Sequence, residues 1–117
     1  MKSVYDDEEK LVSIVNKKMA MVFVVKYKDN ALSCDTRSFS GVRTIGKWNC
    51  KENPIIHIDL QVAKGRAKLI LVKDKKVFPL VEGNYEGELK LDLEQGKYRL
   101  RMVGEETDAK LIIKKKV

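Results

Sequence analysis

The sequence predicts an all-β domain, folded as an antiparallel two-sheet sandwich of the jelly-roll type. Segments in which apolar and charged residues alternate recur along the chain, and turn signals separate them about every eight to twelve residues. Charged residues make up 35% of the chain, which suits exposed outer sheet faces better than sheets covered by helices. We therefore expect about eight short strands around one apolar core.

The clearest alternation lies in residues 88–103, ELKLDLEQGKYRLRMV. A two-residue turn at Gln95 and Gly96 would place Leu91 opposite Leu100 on one side of a β-hairpin. The other side would then pair Asp92 with Arg99. A register shift of one residue would bury the charged side chains, so the pattern predicts a half-buried antiparallel ribbon.

Residues 58–72, IDLQVAKGRAKLILV, repeat this pattern around Lys64 and Gly65. The same reasoning predicts a second hairpin in which Leu60 faces Leu69. Only two such units occur, which favours two similar hairpins of one sandwich over a repeat protein.

The remaining strands carry their own signals. Residues 76–81 form a short strand in which Pro79 predicts a sheet edge or a bulge, because proline donates no ladder hydrogen bond. Residues 19–28 are apolar on both parities, which predicts a strand buried on both faces. A tight turn at residues 29–30 should lead into the next strand. A last strand is expected over residues 109–115.

The first 18 residues are compatible with two structures. The acidic run at residues 6–9 suits the start of a helix, and Leu11, Ile14 and Val15 would share one apolar face. The stretch LVSIV also has the character of a strand. The sequence favours a short N-terminal helix.

The length of 117 residues predicts a single domain spanning residues 1–117. The longest apolar run, residues 19–25, has seven residues, so we expect no membrane insertion. The first residues lack the apolar core of a signal peptide, which makes a cytoplasmic location the default expectation. A chain trimmed of its signal peptide would have the same sequence, and the protein would then be exported.

Two cysteines, Cys34 and Cys50, form neither a disulfide framework nor a metal motif. Two reduced, half-buried thiols are the favoured interpretation, and one disulfide is the alternative for an exported protein. The oligomeric state stays open, because an uncovered sheet edge such as the Pro79 strand could pair with a second copy.

The motifs of catalysis are missing from the sequence. His57 is the only histidine, and no G-x-S-x-G, P-loop or G-x-G-x-x-G motif occurs. The acidic residues at 6–9 and 105–108 lack the spacing of a calcium loop. We therefore predict a nonenzymatic protein with no cofactor and no metal site.

The formal charge of +7 favours polyanionic partners. The predicted sheet faces suggest a set of candidate polyanion-binding residues, namely Lys68, Lys90, Lys97, Arg99 and Arg101. Nucleic-acid binding ranks lower than a protein or glycan partner, because the aromatic residues fall on core parities and not among these basic residues.

Trp48 and Tyr85 are the candidate glycan-stacking residues. An exposed tryptophan would offer a platform for a sugar ring, whereas a buried one would anchor the sandwich, and the second interpretation is the favoured one for a single tryptophan. The leading functional hypothesis is a nonenzymatic binding or interaction module with a protein or glycan partner. The alternative is polyanion binding through a basic sheet face.

The order of elements after His57 resembles that of a known family. The segment up to Val72, an edge strand, a glycine-containing loop, the stretch GKYRLRMV at 96–103 and a final strand are similar to the bacterial pre-peptidase C-terminal domain. The resemblance covers about the last 70 residues. It implies a noncatalytic, jelly-roll-like accessory domain that assists substrate binding or secretion beside a secreted enzyme.

Overall fold

A computed structural model of the chain describes residues 17–19, 22–28, 31–50, 55–91 and 95–116. Within these ranges the elements are strands that pair in an antiparallel manner. They are β1 (Lys17–Met19), β2 (Val22–Lys28), β3 (Ala31–Cys50), β4 (Ile55–Lys73), β5 (Lys76–Glu82), β6 (Tyr85–Lys90) and β7 (Gly96–Lys116). The predicted all-β, antiparallel fold is confirmed. The helix expected near the N-terminus falls mainly on residues 1–16, which lie outside the described residues.

The long strands β3, β4 and β7 each contribute to both layers of the sandwich. The first layer has the order β2–β3–β7–β4–β6 and uses residues 31–36, 109–114 and 55–62 of the long strands. The second layer has the order β1–β3–β7–β4–β5 and uses residues 40–50, 96–104 and 66–73. One continuous hydrogen-bonded sheet thus folds over onto itself.

Each long strand bends where it passes from one layer to the other. Register shifts interrupt the ladders at these points, and each bend contains a residue with positive φ: Ser38 at 50°, Gly65 at 73° and Glu106 at 45°. Hydrogen bonds join two of the bends. The Ser38 N–H donates to Asp108 Oδ1 at 2.9 Å, and the Glu106 N–H donates to Ser40 Oγ at 2.9 Å.

Gly65 is required by the contact between two bends. A side chain at this position would clash with the backbone carbonyl oxygens of Glu105 and Glu106. The positive φ adds a second reason, because residues with a Cβ rarely adopt it. An exposed ion pair between Arg66 and Glu105 lies beside this contact. Such a pair contributes little to stability, so the close backbone approach is the stronger constraint.

The core lies between the two layers and is continuous from one to the other. Tyr27 of the first layer donates its hydroxyl hydrogen to the Ile45 carbonyl of the second, and the rings of Phe23 and Phe39 meet edge to face at 4.8 Å. The buried core includes Leu32, Cys34, Ile56, Ile58, Leu60, Leu111 and Ile113 from the first layer, and Ile45, Trp48, Leu69, Leu71, Tyr98, Leu100 and Met102 from the second.

The two layers also have outer faces, which differ sharply. The open face is the outer face of the first layer and presents exposed side chains: Asp35, Gln61, Lys110, Ile112 and Lys114. The covered face is the outer face of the second layer, and its residues are 0–1% exposed: Val42, Ile70, Val72, Arg101 and Val103.

Both predicted hairpins are wrong. Strand β6 pairs with β4, and β7 pairs with β3 and β4, so the two halves of residues 88–103 lie in different layers. Residues 58–72 belong to the single strand β4, which bends at Gly65. A hairpin and a strand that bends between layers both direct Leu60 and Leu69 toward one core. The alternating pattern therefore fits either arrangement.

Other strand predictions have mixed outcomes. The strand expected to be buried on both faces is wrong, because β2 pairs with β3 alone among the described strands and Val24 is 41% exposed. The turn predicted at residues 29–30 lies outside the described residues, and the residues on either side of it, Lys28 and Ala31, pair with each other. The position of Pro79 is confirmed, since β5 is an edge strand and the register shifts beside its partner Ile70.

Candidate functional site

A row of polar side chains crosses the open face. Asp35 of β3 lies opposite Lys110 of β7, which in turn lies opposite Gln61 of β4. Residues that flank this row in sequence, such as Cys34 and Leu60, point into the core. The side chains of the row therefore project outward because alternate residues of a strand point to opposite faces.

This row belongs to a cleft of about 850 Å³ near the bends of the long strands. The cleft is defined by its lining residues, Val22, Asp35, Thr36, Arg37, Gln61, Val62, Ala63, Asn84, Asp108, Ala109 and Lys110. We call it the open-face cleft. Its polar lining combines carboxylate, amide, ammonium and guanidinium groups with small apolar side chains.

Three polar residues of the open-face cleft hold the surrounding backbone in place. Asn84 Oδ1 accepts a hydrogen bond from the Val62 N–H at 2.7 Å, and Asp108 Oδ1 accepts one from Ser38. The Thr36 hydroxyl bonds to the backbone of Ala109, accepting from its N–H at 3.2 Å and donating to its carbonyl at 3.4 Å. These bonds fix the shape of the cleft from inside.

Four other polar residues of the cleft extend exposed side chains: Asp35, Arg37, Gln61 and Lys110. An ionised carboxylate only accepts hydrogen bonds, an ammonium or guanidinium only donates them, and an amide does both. The cleft can therefore satisfy a ligand whose groups donate and accept in alternation.

A second cleft, of about 510 Å³, lies at the end of the second layer. It is lined by Lys47, Trp48, Val72, Lys73, Asp74, Lys97, Tyr98 and Arg99, and we call it the Trp48 cleft. Four of these side chains are cationic and one is anionic. Lys73 Nζ donates to the Gln95 carbonyl at 2.9 Å and lies 5.4 Å from the centre of the Tyr98 ring.

The predicted polyanion-binding residues do not share one face. Lys97 and Arg99 meet in the Trp48 cleft, whereas Lys90 lies on strand β6 at the edge of the first layer. Lys68 is half-buried beside the covered face, opposite Val103. Arg101 is 0% exposed, so its placement on an exposed basic face is wrong. Burial, followed by the charge of Arg99, lowers the pKa of Arg101 to about 10.

The two predicted glycan-stacking residues lie in different layers. Trp48 is 8% exposed and belongs to the core, with Tyr98 opposite it across the strands. Tyr85 is half-buried on β6 and donates its hydroxyl hydrogen to the Glu88 carbonyl at 3.4 Å. Trp48 therefore anchors the sandwich, as the favoured interpretation expected. The rings of Trp48 and Tyr85 do not form one platform for a sugar.

The remaining reactive candidates are placed as follows. Cys34 is buried, and burial together with the neighbouring Asp35 raises the pKa of its thiol to about 12. The side chain of Cys50 lies outside those described. His57 is half-buried on the open face, opposite Glu88 and Lys114. Among the described residues, no group of three or more His, Cys, Asp or Glu side chains could hold a metal ion.

Sequence reasoning missed the open-face cleft. Asp35, Gln61 and Lys110 are far apart in the chain, and each sits alone among alternating residues. The one sequence signal for these residues is their alternation with apolar, inward-facing neighbours, which places their side chains on an outer face. Only the antiparallel pairing of three strands brings them into one row. In the part of the chain that the structure describes, no helix is long and apolar enough to span a membrane.

The fold and the two clefts describe a two-layer β-sandwich with exposed concave sites. No family model and no curated protein matches the sequence. Two similar solved structures are point mutants of family 29 carbohydrate binding modules. One has a TM-score of 0.46 at 9% identity, covering 97% of this chain and 86% of that one. The other, complexed with mannohexaose, has a TM-score of 0.44 at 10% identity, covering 85% and 77%. Scores below 0.5 assign this chain to no family.

Proposed function

We propose that this protein is a nonenzymatic binding module that holds a neutral carbohydrate in the open-face cleft. The observation that carries the proposal is the row of hydrogen-bonding groups Asp35, Lys110 and Gln61 across adjacent strands. Sugar hydroxyls both donate and accept hydrogen bonds, so they require a mixed set of partners such as this one. The cleft volume of about 850 Å³ suits a ligand of a few sugar rings.

The charges of the open-face cleft favour a neutral ligand. Asp35 and Asp108 balance Arg37 and Lys110 among its lining residues. A polyanion would have to approach both carboxylates, and like charges brought together oppose binding. A neutral, hydroxyl-rich ligand meets no such penalty.

Apolar groups of the same cleft supply the second element of sugar recognition. Val22 is 36% exposed, and Val62, Ala63 and Ala109 also line the cleft. The C–H faces of a sugar ring can pack against such side chains and release water from them. Specific sites commonly combine a few placed polar groups with an apolar lining in this way.

Calorimetric titration with neutral hexasaccharides, mannohexaose among them, tests the proposal. Replacing Asp35 and Gln61 together (D35A/Q61A) should weaken binding about tenfold or more, because two hydrogen-bonding groups are lost. The matched control is the double variant S33A/H57A, which changes the same two strands on the same face but outside the cleft lining.

The control should bind the sugar like the unsubstituted protein. Equal loss in both double variants would show that binding depends on the face as a whole and not on the cleft. If none of the neutral hexasaccharides binds at millimolar sugar concentrations, the proposed function is rejected.

The Trp48 cleft supports a second candidate function, the binding of an anionic ligand such as a sulfated or carboxylated glycan. The supporting observation is that Lys47, Lys73, Lys97 and Arg99 surround one cleft whose single carboxylate is Asp74. Cationic groups around a concave site focus the electrostatic potential and attract anions. This candidate keeps Lys97 and Arg99 from the predicted polyanion-binding set.

A salt titration with a heparin-derived hexasaccharide tests this second candidate. The double variant K47E/K97E should abolish salt-sensitive binding, because it reverses two charges in the cleft. The double variant K28E/K114E makes the same change in net charge on the first layer and should retain binding. Equal loss in both variants would mean that net charge, and not the Trp48 cleft, attracts the anion.

A further inference from the structure

Lys73 differs from the exposed lysines of the Trp48 cleft in how its side chain is held. Its Nζ donates a hydrogen bond to the Gln95 carbonyl oxygen at 2.9 Å and lies 5.4 Å from the centre of the Tyr98 ring. Lys47 and Lys97 extend exposed side chains from the same cleft, whereas Lys73 is half-buried. The ammonium group of Lys73 therefore has a defined position in the protein without a ligand.

The backbone that carries Lys73 is fixed as well. Lys73 is the last residue of β4 and pairs with Lys76, the first residue of β5. The two residues between them, Asp74 and Lys75, have φ values of 49° and 64°. Positive φ at both positions is the geometry of a tight two-residue turn between antiparallel strands. A tight hairpin thus holds Lys73 at the rim of the cleft.

Gly96 leaves open the space that the Lys73 side chain occupies. A Cβ atom at position 96 would lie 2.6 Å from Lys73 Nζ and 2.8 Å from Lys73 Cε. Its φ of 152° also favours glycine. Because the atoms in the way are the end of a flexible side chain, we expect a side chain at position 96 to displace the ammonium group and not the strands.

A fixed ammonium group is suited to contact one oxyanion of a ligand. An ammonium group carries several N–H donors, and the Gln95 carbonyl uses one of those of Lys73. A lysine that is already ordered also loses less rotamer freedom on binding than an exposed one. The cleft should therefore hold an anionic group more tightly at Lys73 than at Lys47 or Lys97.

We propose that Lys73 is the residue of the Trp48 cleft that contacts the sulfate or carboxylate group of an anionic glycan, and that Gly96 is a positioning residue that keeps its ammonium group in place. The proposal rests on the second candidate function, since it concerns the same cleft and the same class of ligand. Lys47, Lys97 and Arg99 supply the surrounding positive potential. The contact at Lys73 fixes where the anionic group lies.

NMR of the lysine Hε protons in the unbound protein tests the positioning role. In the unsubstituted chain, the Lys73 signals should lie upfield of those of exposed lysines, because the end of this side chain lies over the Tyr98 ring. Gly96→Ala should return them to the range of exposed lysines. Gly83→Ala is the matched control, since Gly83 also has a positive φ but nothing within 4 Å of the added carbon. It should leave the Lys73 signals unchanged.

Calorimetric titration with a heparin-derived hexasaccharide at low salt tests the contact with the ligand. Lys73→Met should weaken binding about tenfold or more, because the ordered cation is lost. Lys26→Met makes the same change in net charge on an exposed position of β2 in the first layer and should weaken binding less than about twofold. Gly96→Ala should approach the loss of Lys73→Met although it changes no charge.

The double variant K73M/G96A separates positioning from a general effect on the cleft. If Gly96 acts through Lys73, the double variant should bind no more weakly than Lys73→Met, since no ammonium group is left to displace. Losses that add would show that Gly96→Ala acts by another route and would reject the positioning role. If Gly96→Ala does not fold, the Lys73 signals and the loss in Lys73→Met still decide whether Lys73 is the fixed contact.

Failure of this proposal and failure of the second candidate function give different results. If Lys73→Met and Lys26→Met weaken binding equally, the role of Lys73 is overturned while the protein remains an anion binder. If the unsubstituted protein does not bind the hexasaccharide at low salt, the candidate function is rejected and the ligand contact at Lys73 with it. Lys73 signals in the range of exposed lysines in the unsubstituted chain would overturn the fixed position of the ammonium group, whether or not the hexasaccharide binds.

Discussion

The two outer faces of the sandwich are built from the same three strands but present opposite chemistry. The open face places Asp35, Lys110 and Gln61 in a solvent-exposed row, whereas the covered face buries Ile70 and Val103. Each long strand contributes to both, since it bends from one layer into the other. The face that a residue occupies is therefore set by its position relative to the bend as well as by its parity.

The difference between the faces is visible in one part of the sequence. Residues 69–72, LILV, are apolar on both parities, which is typical of a strand with both faces buried. Their exposures of 0–1% agree with that pattern. Residues 109–114, by contrast, alternate between buried Leu111 and Ile113 and exposed Lys110, Ile112 and Lys114. In β4 the loss of alternation coincides with a covered outer face, whereas β2 is apolar on both parities and still exposes Val24.

The largest effect is expected at the bend that takes β4 from one layer to the other. Gly65→Ala should destabilise the fold by roughly 3–5 kcal/mol, because it adds left-handed strain and a clash with the Glu105 and Glu106 carbonyls. Urea denaturation measures the loss. Gly83→Ala is the matched control, since Gly83 has φ +74° but nothing within 4 Å of the added carbon.

Gly83→Ala should lower the free energy of unfolding by roughly 1–2 kcal/mol, because it adds left-handed strain and no clash. Equal losses in the two alanine variants would mean that the bends do not need their close contact. Core packing, and not the bend at Gly65, would then be what divides β4 between the layer of the open face and the layer of the covered face.

A smaller effect should separate the faces themselves. Ile70→Ala should lower the free energy of unfolding by about 2–4 kcal/mol, because it leaves a cavity in a buried cluster. Ile112→Ala makes the same chemical change on the open face and should cost less than about 1 kcal/mol, since the side chain is 41% exposed. Thermal and urea unfolding of both variants provide the measurement. Similar losses in both would contradict the burial of the covered face.

The smallest effect concerns the interior beneath the open face. Burial and Asp35 raise the pKa of Cys34 from 9.0 to about 12, so the folded protein holds this proton more tightly than the unfolded chain. The resulting stabilisation is complete below pH 9 and is lost as the pH rises toward 12. Between pH 8 and pH 10.5, the unsubstituted protein should therefore lose about 1–2 kcal/mol more stability than Cys34→Ala.

Urea denaturation at the two pH values checks this difference. Cys50→Ala removes the other cysteine and should keep the alkaline loss of stability. Identical pH profiles for Cys34→Ala and the unsubstituted protein would show that burial does not raise the pKa of this thiol.

Much of the fold was predictable because strand parity is a local property. Alternation identified the inward positions of β4 and β7, such as Leu60 and Leu100, and Pro79 marked an edge. The pairing was not predictable. Gln95 and Gly96 look like a hairpin turn, yet the strands on either side pair with other partners in different layers.

The clefts were predictable only in part. The composition indicated cationic groups, and Lys97 and Arg99 do line one cleft. Arg101 follows the same alternation but is buried, because a local pattern does not show what lies above an outer face. The residues of the open-face cleft come from β3, β4 and β7, which are separated by long stretches of chain.

The sequence by itself determined that this protein is an antiparallel β-sandwich and which side of several strands is apolar, because a period of two recurs along them. The tertiary structure decided which strands are neighbours and where the chain bends. It also decided that one outer face is open while the other is buried. The physical reason is that a hairpin and a bend between layers bury the same residues. Only long-range pairing and the contact at Gly65 distinguish them.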